Sequence, residues 1–166
     1  MRTTTQTRNE YQWAELSQAA KENAITKYFS DYNWADDMLA SLKAFARHFG
    51  SKLKDYRIDW SGACSPSHCD FEDPCLEPED LERLVGELKN DGSCQWTGYC
   101  GDDSCNDGAI AAWKAGERDA VEVLDAGFDS WLKSAHEDYE YQVSEESMAE
   151  TCEANEYWFD EKGNLV

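Results

Sequence analysis

The feature that most constrains the fold is a run of large apolar side chains at helical spacing in the first third of the chain. Five of them follow one another at intervals of four, four, three and four residues: Trp34, Met38, Leu42, Phe45 and Phe49. This spacing places them on one face of an α-helix, and a helix with such a face must bury it against other elements. Asn33 is the predicted N-cap, and Gly50 stands where a left-handed residue would end the helix.

A longer pattern of the same kind occupies residues 119–139. Its apolar members continue for about six helical turns. They are Val121, Leu124, Phe128, Trp131, Leu132, Ala135 and Tyr139. Further helices are predicted after the N-cap Ser17, from Pro78, over residues 109–115 and after the N-cap Ser144.

Strand signals are fewer and shorter. Residues 52–61 alternate partly between apolar and polar side chains, which predicts a strand, and residues 68–72 are a candidate returning strand. The tail, residues 156–166, is predicted to form a hairpin that turns at residues 161–163. Residues 94–108 contain three glycines and show no periodicity, so they are predicted to form a structured loop.

Together these patterns predict an α+β fold in which a small antiparallel sheet packs against four or five helices. The 166 residues are enough for one compact domain with a real core, so a single domain over 1–166 is expected, with residues 1–16 as a candidate flexible start. No apolar run approaches the ~20 residues that cross a bilayer, and no signal-peptide pattern opens the chain. A cytoplasmic protein with reduced thiols is the expectation.

Charge is distributed unevenly along the chain. Residues 1–60 hold eight Asp/Glu and nine Lys/Arg, whereas residues 61–166 hold 27 and six, for a net charge of −20 overall. A field of that sign repels nucleic acids and anionic membranes and attracts basic surfaces. The expected partner is therefore a basic host protein or nucleoprotein complex, with no direct binding to nucleic acid or membrane. The alternative is an acidic surface that only keeps the protein soluble.

Acidic side chains line up along the longest predicted helix and continue past its end. Positions three and four residues apart on a helix are neighbours, with Cβ atoms ~5–6 Å apart. B-DNA carries a charge every ~1.7 Å along its axis, so a rigid row of carboxylates could imitate a phosphate backbone. The candidate partner-binding residues are Glu122, Asp125, Asp129, Glu137, Asp138, Glu140, Glu145 and Glu146.

Two segments, "CSPSHCDFEDPC" and "CQWTGYCGDDSC", hold six of the seven cysteines. Zinc sites usually draw their ligands as pairs two to four residues apart, whereas the gaps here are four or five residues and no CxxC pair exists. The favoured interpretation is two loops with small, half-buried cysteines and no cofactor. The alternative is a small zinc-binding or enzymatic module that uses Cys69, Cys75, Cys94 and Cys100.

No motif indicates catalysis. The three histidines have no recognisable nucleophile beside them in sequence, and no GxSxG, GxGxxG or GxxxxGK[ST] pattern occurs. The chain is therefore not expected to be an enzyme, and no catalytic residue is assigned. A further alternative is an accessory protein that binds through exposed aromatic residues, for which Trp96, Tyr99 and Trp158 are the candidates.

Several stretches resemble a family of small bacteriophage and prophage proteins. They are "ELSQAAKENAITKY" at the start, "LKAFARHFGSKLKDYRID" and "TGYCGDD" in the middle, and "DYEYQVSEESMAETCEANEYWFDEKGNLV" at the end. The family pattern is ELSxxAKxxA at the start and ANEYxFxxxG at the end. This resemblance implies a phage or prophage origin and the cytoplasm of a bacterial host, and it supplies no catalytic residue.

Small acidic phage proteins often block host machinery such as restriction enzymes, CRISPR complexes and polymerases. Charge and resemblance together therefore favour a non-enzymatic inhibitor of a host nucleic-acid-binding defence complex, of the anti-CRISPR or anti-restriction type, which acts as a DNA mimic. The sequence predicts no oligomeric state.

Overall fold

The computed structural model describes residues 9–28, 33–61 and 66–166. Over these residues the fold is α+β, with six α-helices and a two-stranded antiparallel sheet, which confirms the predicted class and small sheet. In chain order the elements are a 3₁₀ turn Trp13–Glu15, α1 Gln18–Tyr28, α2 Asn33–His48, β1 Leu53–Arg57, β2 His68–Phe71, α3 Pro78–Gly86, α4 Gly101–Ala115, α5 Ala120–Gln142 and α6 Glu145–Ala154.

The chain divides into two compact units. The terminal unit consists of residues 1–31 and 140–166, and the central unit of residues 32–139. The boundary falls within the last turn of α5, which belongs to the central unit as far as Tyr139. Each unit has its own cluster of buried apolar side chains. The expectation of one compact domain over 1–166 stays a prediction.

The core of the central unit is built on the α2 stripe. Met38, Leu42, Phe45 and Phe49 are completely buried, and Trp34 is partly buried, as the spacing predicts. Each large apolar side chain taken out of water contributes roughly 1.5–3 kcal/mol. The indole nitrogen of Trp131 on α5 donates a hydrogen bond to the backbone oxygen of Met38 at 2.9 Å, so the most polar atom of a buried tryptophan is satisfied.

The sheet is shorter than the sequence predicts. β1 and β2 pair antiparallel from Leu53 opposite Phe71, and Phe71 alone among the strand residues is buried. The predicted strand over 52–61 stops early because the backbone N–H of Asp59 donates to the hydroxyl of Ser67 at 2.9 Å instead of joining a ladder. A side chain that captures a backbone donor in this way ends regular pairing.

Helix α4 is the main departure from the sequence prediction. Residues 94–108 were expected to be a loop, yet the helix begins at Gly101. A Cβ on Gly108 would lie 2.2 Å from the backbone oxygen of Ala126 on α5, and one on Gly101 would lie 2.9 Å from the Cβ of Ser41 on α2. The two glycines therefore permit close helix packing, and they do not mark a loop.

The terminal unit buries a small cluster of its own. Its members are Trp13, Leu16, Ala20, Ala24, Met148, Cys152 and Phe159. The two predicted N-caps are confirmed: Ser17 Oγ accepts from the N–H of Ala20 at 3.3 Å, and Ser144 Oγ accepts from the N–H of Ser147 at 3.1 Å. Trp13 and Leu16 are buried in this cluster, and the expectation of a flexible start over residues 1–16 stays a prediction. Residues 1–8 lie outside the described residues.

In the predicted tail hairpin, one bridge between Phe159 and Leu165 takes the place of two regular strands. A second bridge joins Phe159 to Tyr11, which lies outside the tail. The turn between Phe159 and Leu165 is held by Asp160, whose carboxylate accepts from the backbone N–H of Lys162 and of Asn164, each at 2.9 Å. The chain therefore turns at 161–163 as the sequence predicts.

Candidate partner-binding acidic face

Carboxylates from two elements and from the residue before α5 come together in the central unit. Glu122, Asp125 and Asp129 lie on one side of α5, three and four residues apart. Asp70 on β2 and Asp119 act on the Asp125 carboxylate through their charge. We call Asp70, Asp119, Glu122, Asp125 and Asp129 the acidic face. Asp125 lies at the centre of the acidic face and is half-buried, and the other four residues are exposed.

Burial and neighbouring charges both act on the pKa of the central carboxylate, Asp125. Burial raises the pKa of Asp125, and the negative charges of Glu122, Asp129, Asp70 and Asp119 raise it further. A raised pKa means that the ionised form is disfavoured relative to an isolated Asp in water. A cationic group placed beside these carboxylates would relieve their repulsion.

Sequence reasoning found three of these five residues and missed Asp70 and Asp119. Asp119 is adjacent to the helix in sequence, and its carboxylate accepts from the N–H of Val121 at 2.8 Å, which is a capping arrangement. Asp70 could not be found, because no pattern in the sequence places β2 beside α5.

Two further predicted residues of the central unit already have partners. Asp138 is half-buried and accepts a hydrogen bond from the hydroxyl of Tyr99 at 2.6 Å. Burial and this bond raise the pKa of Tyr99, so the phenol stays protonated and keeps donating. Glu137 is exposed and lies 3.9 Å from the ammonium of Lys133 one turn earlier. Asp138 therefore anchors a side chain of the loop before α4.

The other three predicted residues belong to the terminal unit. Glu140, Glu145 and Glu146 are all exposed, and Glu145 forms an ion pair with Lys21 of α1. The predicted set of eight thus divides between the two units. The structure brings Glu122, Asp125 and Asp129 together, and the partner-binding assignment of all eight residues stays a prediction.

The second cysteine segment is held by the first turns of α4. Asp102 is completely buried, and its carboxylate accepts from the backbone N–H of Trp96 at 2.8 Å and from the N–H of Thr97 at 2.7 Å. The hydroxyl of Thr97 adds a third bond at 3.0 Å. Further along, Asn106 donates to the backbone oxygen of Lys89 at 2.5 Å. The acidic and amide side chains of "DDSCND" therefore organise the loop over residues 89–97.

Five cysteines have a raised thiol pKa, which keeps them protonated at neutral pH: Cys69, Cys94, Cys100, Cys105 and Cys152. Burial raises the pKa of Cys69 to about 12, with further contributions from Asp125 and Asp70. Burial also raises the pKa values of Cys94, Cys100 and the fully buried Cys105. Thiols of this kind are poor nucleophiles, because the thiolate is the reactive form.

Within the described ranges, no group of three or more His, Cys, Asp or Glu side chains is arranged to hold a metal ion. Cys69 lies near Cys105 of α4, and Cys94 lies near Cys100, close enough that ionisation of one thiol would raise the pKa of the other. Cys75 is exposed, and Cys64 lies outside the described residues. The zinc alternative stays a hypothesis.

Of the three aromatic residues considered as an exposed patch, two are half-buried. The Trp96 ring lies 6.0 Å from that of Phe45 and 5.6 Å from that of His48, so it packs on the core of the central unit. Tyr99 is engaged with Asp138, as described above. Trp158 is 42% exposed and belongs to the terminal unit. The expectation of three exposed aromatics is therefore wrong for Trp96 and Tyr99.

A membrane-spanning helix, which would have to be long and apolar, is not found in the part of the chain that the structure describes. Comparison of the chain with protein-family profiles, with curated proteins and with solved structures gives no match.

Proposed function

We propose that this chain is a non-enzymatic phage protein that binds a basic surface of a host nucleic-acid-binding defence complex through its acidic face. The observation that carries the proposal is the convergence of four carboxylates on the half-buried Asp125, whose pKa is raised by burial and by their repulsion. The net charge of −20 provides a field that draws in a basic partner from a distance.

The acidic face has the chemistry of a phosphate row. Its α5 members are rigidly spaced by the helix, with Cβ atoms ~5–6 Å apart, and exposed at both ends of the row. A groove that binds nucleic acid is lined with Lys and Arg and gains affinity by neutralising phosphates. Carboxylates held at fixed positions present negative charges to such a groove, as the phosphates of a nucleic acid do. The partner class is therefore a restriction or CRISPR-type complex in the cytoplasm of the bacterial host.

The experiment is affinity purification of the tagged protein from bacterial lysate, with bound proteins identified by mass spectrometry after washes of increasing salt. Three chains are compared: the unchanged protein, the double variant Glu122→Lys/Asp129→Lys, and the control Glu79→Lys/Glu82→Lys. The control alters the net charge by the same amount on exposed positions of α3. Glu79 also matches Glu122, because both lie in the first turn of their helix.

The unchanged protein and the α3 control are expected to retain a nucleic-acid-binding complex that elutes as salt is raised, because screening weakens exposed charge pairs. The α5 variant is expected to lose it. Equal loss from both variants would show that net charge alone matters and would overturn the acidic face as the site. Retention by the α5 variant would also overturn it.

A further inference from the structure

The terminal unit contains a pocket that the acidic-face proposal does not use. It has a volume of about 570 Å³, within the range of small-ligand sites. Trp13 and its neighbours in the 3₁₀ turn form one side, and the end of α6 with the segment after it forms the other. All of its lining residues belong to the terminal unit, so the pocket is complete within it.

Aromatic surface forms part of the pocket wall. Tyr157 and Trp158 line it, and Trp158 is 42% exposed. Trp158 therefore offers accessible indole surface to a molecule bound in the pocket. The faces of Trp and Tyr attract cations placed within ~6 Å of the ring centre. Trp13, the third aromatic residue, already has the ammonium of Lys21 at 5.6 Å from its ring centroid.

Negative charge forms another part of the wall. Glu153 and Glu156 line the pocket, and both are exposed. They stand at the C-terminal end of α6, where the helix dipole also favours a positive charge. Among the described residues that line the pocket, none is basic. Three independent features therefore select for a cation: aromatic faces, two carboxylates and a helix C-terminus.

Glu156 is held in place at a conformational cost. It occupies the left-handed position that ends α6, with φ +52°, where Gly is the usual residue. The motif is complete, because the N–H of Glu156 donates to the oxygen of Glu153 at 3.1 Å and the N–H of Tyr157 donates to that of Cys152 at 2.9 Å. The chain thus places a carboxylate at the pocket at a position where glycine would be less strained.

We propose that this pocket binds an organic cation, a guanidinium or ammonium group carried on an apolar stem. The charged group would lie among Glu153, Glu156 and the end of α6, and the stem along Trp158 and Tyr157. The proposal does not depend on the acidic face, which lies in the central unit. The two carboxylates would repel an anionic ligand, and a neutral apolar ligand would gain no attraction from them.

The test is a titration followed by the indole N–H signals in a two-dimensional NMR spectrum, in which a Trp158→Phe variant identifies the Trp158 signal. The probes are N-acetyl-arginine amide and its neutral isostere N-acetyl-citrulline amide. The arginine probe is expected to shift the Trp158 signal saturably, with a Kd of about 1 mM or tighter. The citrulline probe should bind about tenfold more weakly or not at all, because the charge is lost.

Variants of the two pocket carboxylates test whether the bound cation lies beside them. Glu153→Gln and Glu156→Gln are each expected to weaken the arginine probe about three- to tenfold, whereas the control Glu161→Gln, exposed in the same unit and outside the pocket, should leave it unchanged. Glu156→Gly removes the carboxylate and the strained backbone together. It should therefore weaken binding as Glu156→Gln does while the protein unfolds at the same or a higher temperature.

A third probe distinguishes the two sources of such a cation. If a short peptide with a central Arg binds about tenfold more tightly than the single amino-acid probe, the ligand is a side chain of another protein; equal binding indicates a free small cation. Either result supports the proposal. Three outcomes would overturn it: no saturation at about 10 mM, equal binding of the citrulline probe, or equal weakening by Glu161→Gln.

Discussion

Asp102 shows how the hydrogen-bonding groups of a buried acidic side chain are satisfied in this protein. It is completely buried and accepts three hydrogen bonds from Trp96 and Thr97. A carboxylate with several donors loses little by leaving water, since its lone pairs are satisfied. The same bonds fix the backbone of the loop before α4, so one side chain in the first turn of the helix shapes the preceding loop.

Replacement of Asp102 is expected to be strongly destabilising. Asp102→Ala leaves the N–H groups of Trp96 and Thr97 buried without an acceptor, and each such loss costs about 1–3 kcal/mol. A fall of roughly 3–5 kcal/mol in the free energy of unfolding is expected from urea denaturation. The comparison is Asp107→Ala, also on α4, whose exposed carboxylate accepts one bond from Asn90. An equally small effect of both variants would contradict the anchoring of the loop.

At the level of elements, contact between helices decides where glycine is required. On α5, a Cβ at Gly127 would lie 2.3 Å from the ring of Phe45 on α2, so this glycine allows an aromatic side chain to reach the helix backbone. Gly108 on α4 does the same against the backbone of Ala126. In an isolated helix both would be weaknesses of about 1 kcal/mol relative to Ala. In the folded protein, packing makes Gly more favourable than Ala at these two positions.

Two glycine substitutions test this reversal. Gly108→Ala is expected to lower stability by about 1–3 kcal/mol or more, because the added methyl group meets backbone that cannot move aside. Gly86→Ala is the control at the end of α3, where a Cβ would have nothing within 4 Å. It is expected to leave stability unchanged or raise it by up to about 1 kcal/mol. Chemical denaturation of both variants measures the difference; a stabilising Gly108→Ala would refute close packing of α4 on α5.

At the scale of the whole molecule, the net negative charge opposes folding, and in the proposed function it attracts the basic partner. A net charge of −20 makes the compact state repel itself. Asp125 is a local instance: because its pKa is raised in the folded state, its ionisation lowers stability. Protonated Asp125 therefore contributes to stability. This contribution is fully present below the pKa of Asp125 in the unfolded chain and is lost as pH rises through its pKa in the folded protein.

Added salt is therefore expected to stabilise the fold and weaken the complex. Raising NaCl from about 0.01 to 0.1 M shortens the Debye length from about 30 to 10 Å, which screens repulsion between exposed carboxylates. A gain of about 1 kcal/mol, or about 2–4 °C in Tm, is expected by thermal denaturation at constant pH. Sucrose at matched osmolality serves as the uncharged control. A Tm that is constant or falls with NaCl would show that self-repulsion is not a significant cost.

The sequence by itself determined the elements that have a strong period or a distinct cap. The α2 stripe, the long α5 pattern and the caps Ser17 and Ser144 are local signals, because side-chain spacing and backbone donors act within a few residues. Together with the strand signals over residues 52–61 and 68–72, they were sufficient for the α+β class, the small antiparallel sheet and the row Glu122, Asp125 and Asp129.

Only the tertiary structure decided what depends on distant residues. From the sequence, residues 101–108 are predicted to form a loop, because glycine and aspartate disfavour helix locally. In the structure they are helical, because α2 and α5 approach them closely and Asp102 makes buried hydrogen bonds. The position of Asp70 beside Asp125 and the pocket around Trp158 likewise come from segments far apart in the chain. The physical reason is that propensity is worth at most about 1 kcal/mol per residue, whereas burial and satisfied polar groups are worth several.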